Sequence, residues 1–99
     1  MAKAYWVGHV IVHDADGYEK YRAANAVAFE KYGAKFLVRG GAQTVMEGRS
    51  HPRTVVLEFA NLATAQACYD SPEYQAAKAL RDPVSDADMV IVEGYEYPG

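Results

Sequence analysis

The chain has 99 residues, of which 51% are hydrophobic and 23% are charged, so it has the composition of one globular domain. Its net charge of −3 and its scattered Lys and Arg residues argue against binding to nucleic acid, which requires clustered positive charge. A lone cysteine, Cys68, excludes an internal disulfide and favours a reducing, cytoplasmic location.

The first predicted elements are a strand and a helix. Residues 4–13 are rich in β-branched side chains and predict strand one. Because this apolar run is too short to span a bilayer, we expect no membrane association. Asp16 and Glu19 have the spacing of a helix-capping box, and Gly33 suits the end of the helix, after Tyr32. The inward stripe of that helix comprises Tyr18, Tyr21, Asn25, Ala28, Phe29 and Tyr32.

Two further strands are predicted in the middle of the chain. Residues 35–39 begin strand two, Gly40 and Gly41 interrupt it as a bulge or tight bend, and residues 44–47 continue it. Residues 48–52 form a turn into strand three, residues 54–59. In that strand Val55, Leu57 and Phe59 alternate with side chains of the other face.

A helical region with a break near Asp70 is predicted over residues 62–81. Asn61 is its N-cap, and Ser71 followed by Pro72 starts its second half. A loop at residues 83–86 leads to the last strand, residues 89–95. The order βαββαβ predicts a single α+β, ferredoxin-like domain over residues 1–99, with an antiparallel sheet and two helices on one of its faces. Strands one and three are expected to be central neighbours.

Strand alternation divides the side chains between the two faces of the sheet. One set, which includes Val90 and Val92, is uncharged and is expected to lie under the helices. The other set mixes aliphatic residues with four ionisable ones: His9, Arg39, Glu58 and Glu93. Because soluble monomers rarely expose so large an apolar face, we expect a second copy of the chain to cover it in a homodimer. The ionisable side chains would then line a cavity between two sheets, although Glu93 also fits the solvated end of its strand.

Several short motifs occur along the chain: A-Y-W-V, Y-G-A-K-F-L-V-R-G-G, M-E-G, V-V-L-E-F and S-P-E-Y-Q. Together they resemble a bacterial family of small domains of unknown function, numbered 1330, in the dimeric α/β-barrel superfamily. The resemblance covers nearly the whole chain and implies a ferredoxin-like protomer that pairs through its sheet. Where relatives often have Y-G-G, this chain has Tyr32-Gly33-Ala34. The family name implies no activity, whereas the superfamily includes monooxygenases, lyases and isomerases.

His9, Arg39 and Glu58 are the candidate catalytic residues. Arg39 could orient a carboxylate or an enolate, His9 could transfer a proton near neutral pH, and Glu58 could be its partner or a general base. The alternative is a structural Arg39–Glu58 ion pair that fixes the register of the sheet or the dimer, with His9 hydrogen-bonded nearby.

Tyr69, Ser71 and Tyr74 are the candidate substrate-binding residues. The helix start at Ser71 presents free N–H groups that could bind an anion at the mouth of a cavity, with packing and capping as the alternative roles. His9 and His13 would lie about 13 Å apart on a strand, too far to share a metal ion. No phosphate-binding loop or dinucleotide fingerprint is present, so we expect neither a metal nor a cofactor.

The sequence therefore predicts a homodimer that binds a small organic molecule, anionic if Arg39 contacts it, in a cavity near the sheet. The chemistry expected of such a cavity is cofactor-free proton transfer or oxygenation, with His9 or Glu58 as the base. The rival hypothesis is a non-catalytic structural or interaction module, in which the same residues only set the register.

Overall fold

The computed structural model of the protein describes residues 2–98; residues 1 and 99, the ends of the predicted domain, lie outside the described residues. In chain order the elements are β1 (Ala4–Val12), α1 (Ala15–Tyr32), β2 (Lys35–Arg39), β3 (Arg53–Phe59), α2 (Leu62–Asp70), α3 (Pro72–Arg81), a short 3-10 helix (Asp82–Val84) and β4 (Ser85–Glu93). The strands form one antiparallel sheet in the order β2-β3-β1-β4. This topology confirms the predicted ferredoxin-like α+β fold.

Short-range capping contacts set the ends of the helices. The Asp14 side chain accepts a hydrogen bond from a backbone N–H three residues later, so α1 is capped by Asp14 rather than by the predicted Asp16. Gly33 ends α1 at a left-handed φ of 68°, and Asn61 and Ser71 cap α2 and α3, all as predicted. Within residues 2–98, none of the helices is long and apolar enough to cross a membrane.

The hydrophobic core lies between the helices and one face of the sheet. Trp6 of β1 lies at its centre, where the indole N–H donates a hydrogen bond to the Ala65 carbonyl at 3.0 Å. The Trp6 ring contacts Phe29 of α1, Phe59 of β3 and Tyr74 of α3 at centroid distances of 5.4, 5.1 and 4.8 Å. One aromatic side chain thus connects both layers of the fold. None of the helices within residues 2–98 covers the second face of the sheet.

β4 differs from the predicted last strand in where it begins and in which face of the sheet its side chains occupy. It begins before the predicted boundary at residue 89, and its register with β1 places Met89 and Ile91 on the helix-facing side. Val90 and Val92 lie on the open side, so the predicted assignment of this strand was reversed. The prediction placed Glu93 on the open side because of its charge. Its pairing with Ala4 instead puts it on the helix-facing side, where it stays exposed because it ends the strand.

β2 is shorter than predicted. It ends at Arg39, and Gly40 adopts a left-handed φ of 69° while its N–H donates to the Thr54 carbonyl at 2.9 Å. Residues 40–52 then follow an irregular, largely exposed path. The predicted continuation over residues 44–47 is wrong because β3 begins only at Arg53, which leaves those residues no strand to pair with.

Candidate functional site: an arginine-lined cleft

A bulge in β2 decides which side of the sheet Arg39 occupies. Phe36 pairs with Leu57, but after the irregularity at Leu37 the register shifts, and Arg39 pairs with Val55. The extra residue reverses the alternation of side chains, so Phe36 and Arg39 share the helix-facing side. The predicted break at Gly40 and Gly41 lay too late in the strand to have this effect.

The predicted grouping of His9, Arg39 and Glu58 on one face is therefore wrong. Glu58 lies on the open side, where its carboxylate accepts a hydrogen bond from Lys3 at 3.3 Å. His9 is on that side too, whereas Arg39 is on the helix-facing side. Arg39 and Glu58 thus form neither a catalytic pair nor the ion pair of the structural alternative. The roles proposed for the individual residues stay predictions.

A cleft opens on the helix-facing side, between α1, the sheet and the end of α3. We call it the arginine cleft; its polar lining residues are Tyr18, Tyr21, Arg22, Asn25, Arg39, Arg53 and Arg81. Its floor is apolar and includes Trp6, Phe29 and Leu57. The space is about 470 Å³ with the open mouth included, but only about 30 Å³ admits the centre of a water molecule. Among the described residues no carboxylate or imidazole lines it, so its charge is positive.

Aromatic rings support the two arginines contributed by β2 and β3. The Arg39 guanidinium lies 4.3 Å from the centre of the Phe36 ring, and that of Arg53 lies 5.6 Å from the Tyr18 ring. A Cβ atom at Gly40 would displace the flexible end of the Arg53 side chain, and the positive φ of Gly40 favours glycine at this position. The Nε atom of Arg53 is buried and has no hydrogen-bond partner within residues 2–98.

A buried network of hydroxyl groups holds Arg81 at the back of the cleft. The Tyr74 hydroxyl, on a side chain with 0% exposure, is 2.9 Å from the Tyr21 hydroxyl and accepts a hydrogen bond from Nη1 of Arg81 at 3.2 Å. Burial is the main cause that raises the pKa of Tyr74, and the neighbouring Tyr21 raises it further, so the Tyr74 hydroxyl stays protonated. The network positions a guanidinium without providing a base.

α1 adds two polar side chains whose hydrogen-bonding capacity is only partly used. Nη1 of Arg22 donates to Glu19 at 2.6 Å, while its buried Nε atom has no hydrogen-bond partner in the part of the chain that the structure describes. Asn25 is 4% exposed, and its side chain makes no hydrogen bond to another described residue. Buried polar groups are normally hydrogen-bonded. These polar atoms belong to residues that line the cleft, and no described residue satisfies them.

The three predicted substrate-binding residues lie in the core instead of at a cavity mouth. The Ser71 hydroxyl donates to the Cys68 carbonyl at 2.6 Å and accepts from the Tyr74 N–H at 3.1 Å, so it is fully used as a cap. Tyr69 packs on Trp6 and Tyr74 at centroid distances of 5.9 and 5.5 Å. None of the three lines the arginine cleft. Their contacts match the packing and capping alternative.

His9 lies in a polar cluster on the open face. Its Nδ1 atom is 3.1 Å from Oγ1 of Thr54 and 3.2 Å from Oγ of Ser50. Because Nε2 of Gln43 donates to the His51 carbonyl at 2.9 Å, the other end of that amide accepts the Thr54 hydroxyl proton. The Thr54 oxygen then accepts from His9, which assigns the imidazole proton to Nδ1 and leaves Nε2 as an acceptor. A proton acceptor is present, but on the opposite side of the sheet from the arginines.

Sequence reasoning did not select Arg22, Arg53 or Arg81 as site residues. A signal existed for Arg53, because in β3 it has the same parity as the buried Leu57. Another existed for Asn25, a polar residue within the apolar stripe of α1. Arg22 and Arg81 carried no signal, since arginines on amphipathic helices are ordinary and only packing shows where they point.

The fold and the cleft define a class of protein: a ferredoxin-like α+β domain with a positively charged cleft between its first helix and its sheet. The chain belongs to the family described as Domain of unknown function (DUF1330), which matches residues 3–95. The resemblance carried by its sequence motifs is thereby confirmed. A comparison with curated proteins finds no match.

Solved structures from several bacteria share this fold. A protein of unknown function from Rhodopseudomonas palustris has a TM-score of 0.76 at 15% identity, covering 97% of this chain and 85% of that one. SnoaB, a cofactor-independent oxygenase from Streptomyces nogalater, has a TM-score of 0.64 at 14% identity, covering 98% and 97%. A dimeric protein of unknown function with a ferredoxin-like fold, from Bacteroides fragilis, has a TM-score of 0.64 at 16% identity, covering 93% and 96%. Identities this low establish the fold alone.

Proposed function

We propose that the protein binds a small organic anion in the arginine cleft. One observation carries this proposal: four arginines line the cleft, and no carboxylate side chain among the described residues joins them there. Guanidinium groups bind carboxylates and phosphates through paired N–H donors, and the apolar floor suits a carbon skeleton. Because only about 30 Å³ of the cleft admits the centre of a water molecule, a larger ligand must either extend into the open mouth or displace a side chain. Arg39, which is exposed, is the wall residue best able to move.

Binding is better supported than catalysis at this position. The bases proposed from the sequence, His9 and Glu58, lie on the other side of the sheet. Burial is the main cause that raises the pKa of Tyr18, and the neighbouring Tyr21 raises it further. The Tyr18 hydroxyl is therefore not a base at neutral pH. The cofactor-independent oxygenase SnoaB, similar over 98% of the chain, makes oxygenation the second candidate function. Ligand-dependent oxygen uptake measured with an electrode would test it.

The test of anion binding compares two arginines, one inside the cleft and one outside it. Arg39→Gln removes a charge from the cleft, whereas Arg49→Gln removes one from the exposed loop. A hydrogen bond to a charged group contributes about 1.5–3 kcal/mol, or about tenfold to a hundredfold in affinity. Calorimetric titration with a panel of aliphatic and aromatic carboxylates should show that loss for Arg39→Gln only. A panel in which nothing binds the unmodified protein would refute the proposal.

We also propose that the protein is a homodimer formed through the open face of its sheet. The relative from Bacteroides fragilis is described as dimeric. On the open face here, Val90 is 59% and Val92 is 46% exposed on β4, and the exposed Val38 lies on the same face at the opposite edge of the sheet, on β2. Covering an exposed aliphatic side chain stabilises an interface by up to about 1.5–3 kcal/mol. Such a face suits a self-complementary contact related by a two-fold axis.

A charge placed on either side of the protomer tests the dimer. Val90→Lys puts an ammonium group on the open face, and Val27→Lys puts one on the exposed surface of α1. Analytical ultracentrifugation should show a dimer for the unmodified protein and for Val27→Lys, and monomers for Val90→Lys. Equal sedimentation of both variants would rule out this interface. A dimer that binds no anion would favour the alternative, a non-catalytic interaction module.

A further inference from the structure

Two of the four cleft arginines already have a carboxylate partner. Arg22 donates to Glu19 at 2.6 Å, and Nη2 of Arg81 lies 3.6 Å from a carboxylate oxygen of Asp82. Neither Glu19 nor Asp82 lines the cleft, so each partly neutralises its arginine from outside the space that a ligand would occupy. The positive potential of the cleft therefore comes mainly from its other two arginines.

Arg39 and Arg53 have no such partner. In the part of the chain that the structure describes, no carboxylate oxygen lies within 4.0 Å of either guanidinium. Arg39 is paired with Val55 across β2 and β3, and Arg53 lies on the same side of the sheet, two residues before Val55 in β3. Their Cα atoms are thus diagonal neighbours, about 7–8 Å apart.

Each of these guanidiniums is supported separately. Arg39 rests on Phe36 and Arg53 on Tyr18, so the two forks of N–H donors are held apart instead of stacking on one ring. Two like charges that line one cleft repel each other, and one bound carboxylate would balance only half of that charge. A second carboxylate would balance the rest, because each guanidinium can bind one carboxylate through paired N–H donors.

We propose that the ligand of the cleft is an organic dicarboxylate, with one carboxylate on Arg39, the other on Arg53, and the carbon skeleton on the apolar floor. This inference rests on the proposed function, because it names the class of anion that the same cleft binds. A phosphate monoester also carries two negative charges, but it presents them on a single group, whereas the two arginines present separate forks. The geometry therefore fits two carboxylates better than one phosphate.

Half-esters provide ligands of matched size with one charge fewer. Succinate, adipate and phthalate would be compared by calorimetric titration with their monomethyl esters, and phenyl phosphate would be a further ligand. We expect at least one of the diacids to bind about tenfold or more tightly than its half-ester. Arg39→Gln and Arg53→Gln should each reduce that ratio to about one, and Arg49→Gln, outside the cleft, should leave it unchanged.

The other outcomes separate this inference from the function on which it rests. Equal affinity for every diacid and its half-ester would overturn the dicarboxylate and leave anion binding intact. Tighter binding of phenyl phosphate than of any diacid would overturn it in favour of a phosphate monoester. If none of these anions binds, both proposals fail. Should Arg53→Gln not fold, Arg39→Gln decides the result alone, because Arg39 is exposed and contributes little to the core.

Discussion

Removing the hydroxyl group of Tyr74 should destabilise the protein without disturbing its aromatic core. The ring is completely buried and contacts Trp6 at a centroid distance of 4.8 Å, a contact that phenylalanine would keep. The hydroxyl is 2.9 Å from that of Tyr21 and accepts a hydrogen bond from Arg81 at 3.2 Å. Tyr74→Phe therefore removes two buried hydrogen bonds and almost no packing.

The size of the effect follows from the kinds of hydrogen bond lost. The bond to Tyr21 is neutral and contributes about 1 kcal/mol, and the bond from the charged Arg81 contributes about 1.5–3 kcal/mol. The sum is an upper value, because Tyr21 and Arg81 both line the cleft, where water can replace the lost partner. We expect a loss of about 2 kcal/mol in the free energy of unfolding, or about 8–16 °C in Tm for a domain of this size.

Urea unfolding followed by the fluorescence of Trp6, the only tryptophan, measures this loss. Tyr69→Phe is the matched control, because the Tyr69 ring packs on the same aromatic cluster while its hydroxyl has no partner among the described residues. It should change the free energy of unfolding by less than about 0.5 kcal/mol. Tyr21→Phe combined with Tyr74→Phe should cost less than the two single changes added together. Equal effects of Tyr74→Phe and Tyr69→Phe would refute the network.

Four further outcomes are expected. Burial, and to a lesser extent the charge of Glu73, raises the pKa of the Cys68 thiol to about 12. The native protein should therefore resist thiol reagents at pH 8 until urea exposes the thiol, and rapid labelling of the native protein would contradict this. Asn61→Ala removes the cap of α2 and should cost about 1 kcal/mol, whereas Asn61→Asp should cost less; equal losses would count against the cap. The pKa of Tyr74 in the folded protein is raised above its unfolded value of 10.0, so the free energy of unfolding should fall as the pH rises above 10. A constant urea midpoint from pH 9 to 11 would disprove this. Nitrogen-15 NMR should find the proton of neutral His9 on Nδ1, and a proton on Nε2 would overturn the assigned network.

Much of the fold could be predicted because the relevant signals act over a few residues. Asn61 and Ser71 cap helices through N–H groups three residues away, and Gly33 ends α1 through its own φ. The alternation of β1 and β3 was also correct, since neither strand contains an irregularity that changes its parity. Contacts this short are determined by the residues that make them, whatever the rest of the chain does.

The candidate site could be predicted only in part, because a shift of one residue in the register of β2 decides on which face of the sheet Arg39 lies. The bulge at Leu37 moves Arg39 away from His9 and Glu58 and toward Arg53. No glycine or proline marks that bulge; it exists because β2 must align with β3. Pairing between strands is a long-range contact, so counting along a single strand cannot detect it.

The sequence by itself determined the order of the elements, the ends of the helices, the family, and the presence of polar groups beside an apolar sheet. Tertiary structure alone decided which of those groups meet: it joined arginines from β2, β3 and two helices into one cleft and left His9 and Glu58 on the opposite side. The physical reason is that a side chain's face depends on the alignment of its strand with the neighbouring strand, and that alignment is set by the packing of the whole sheet.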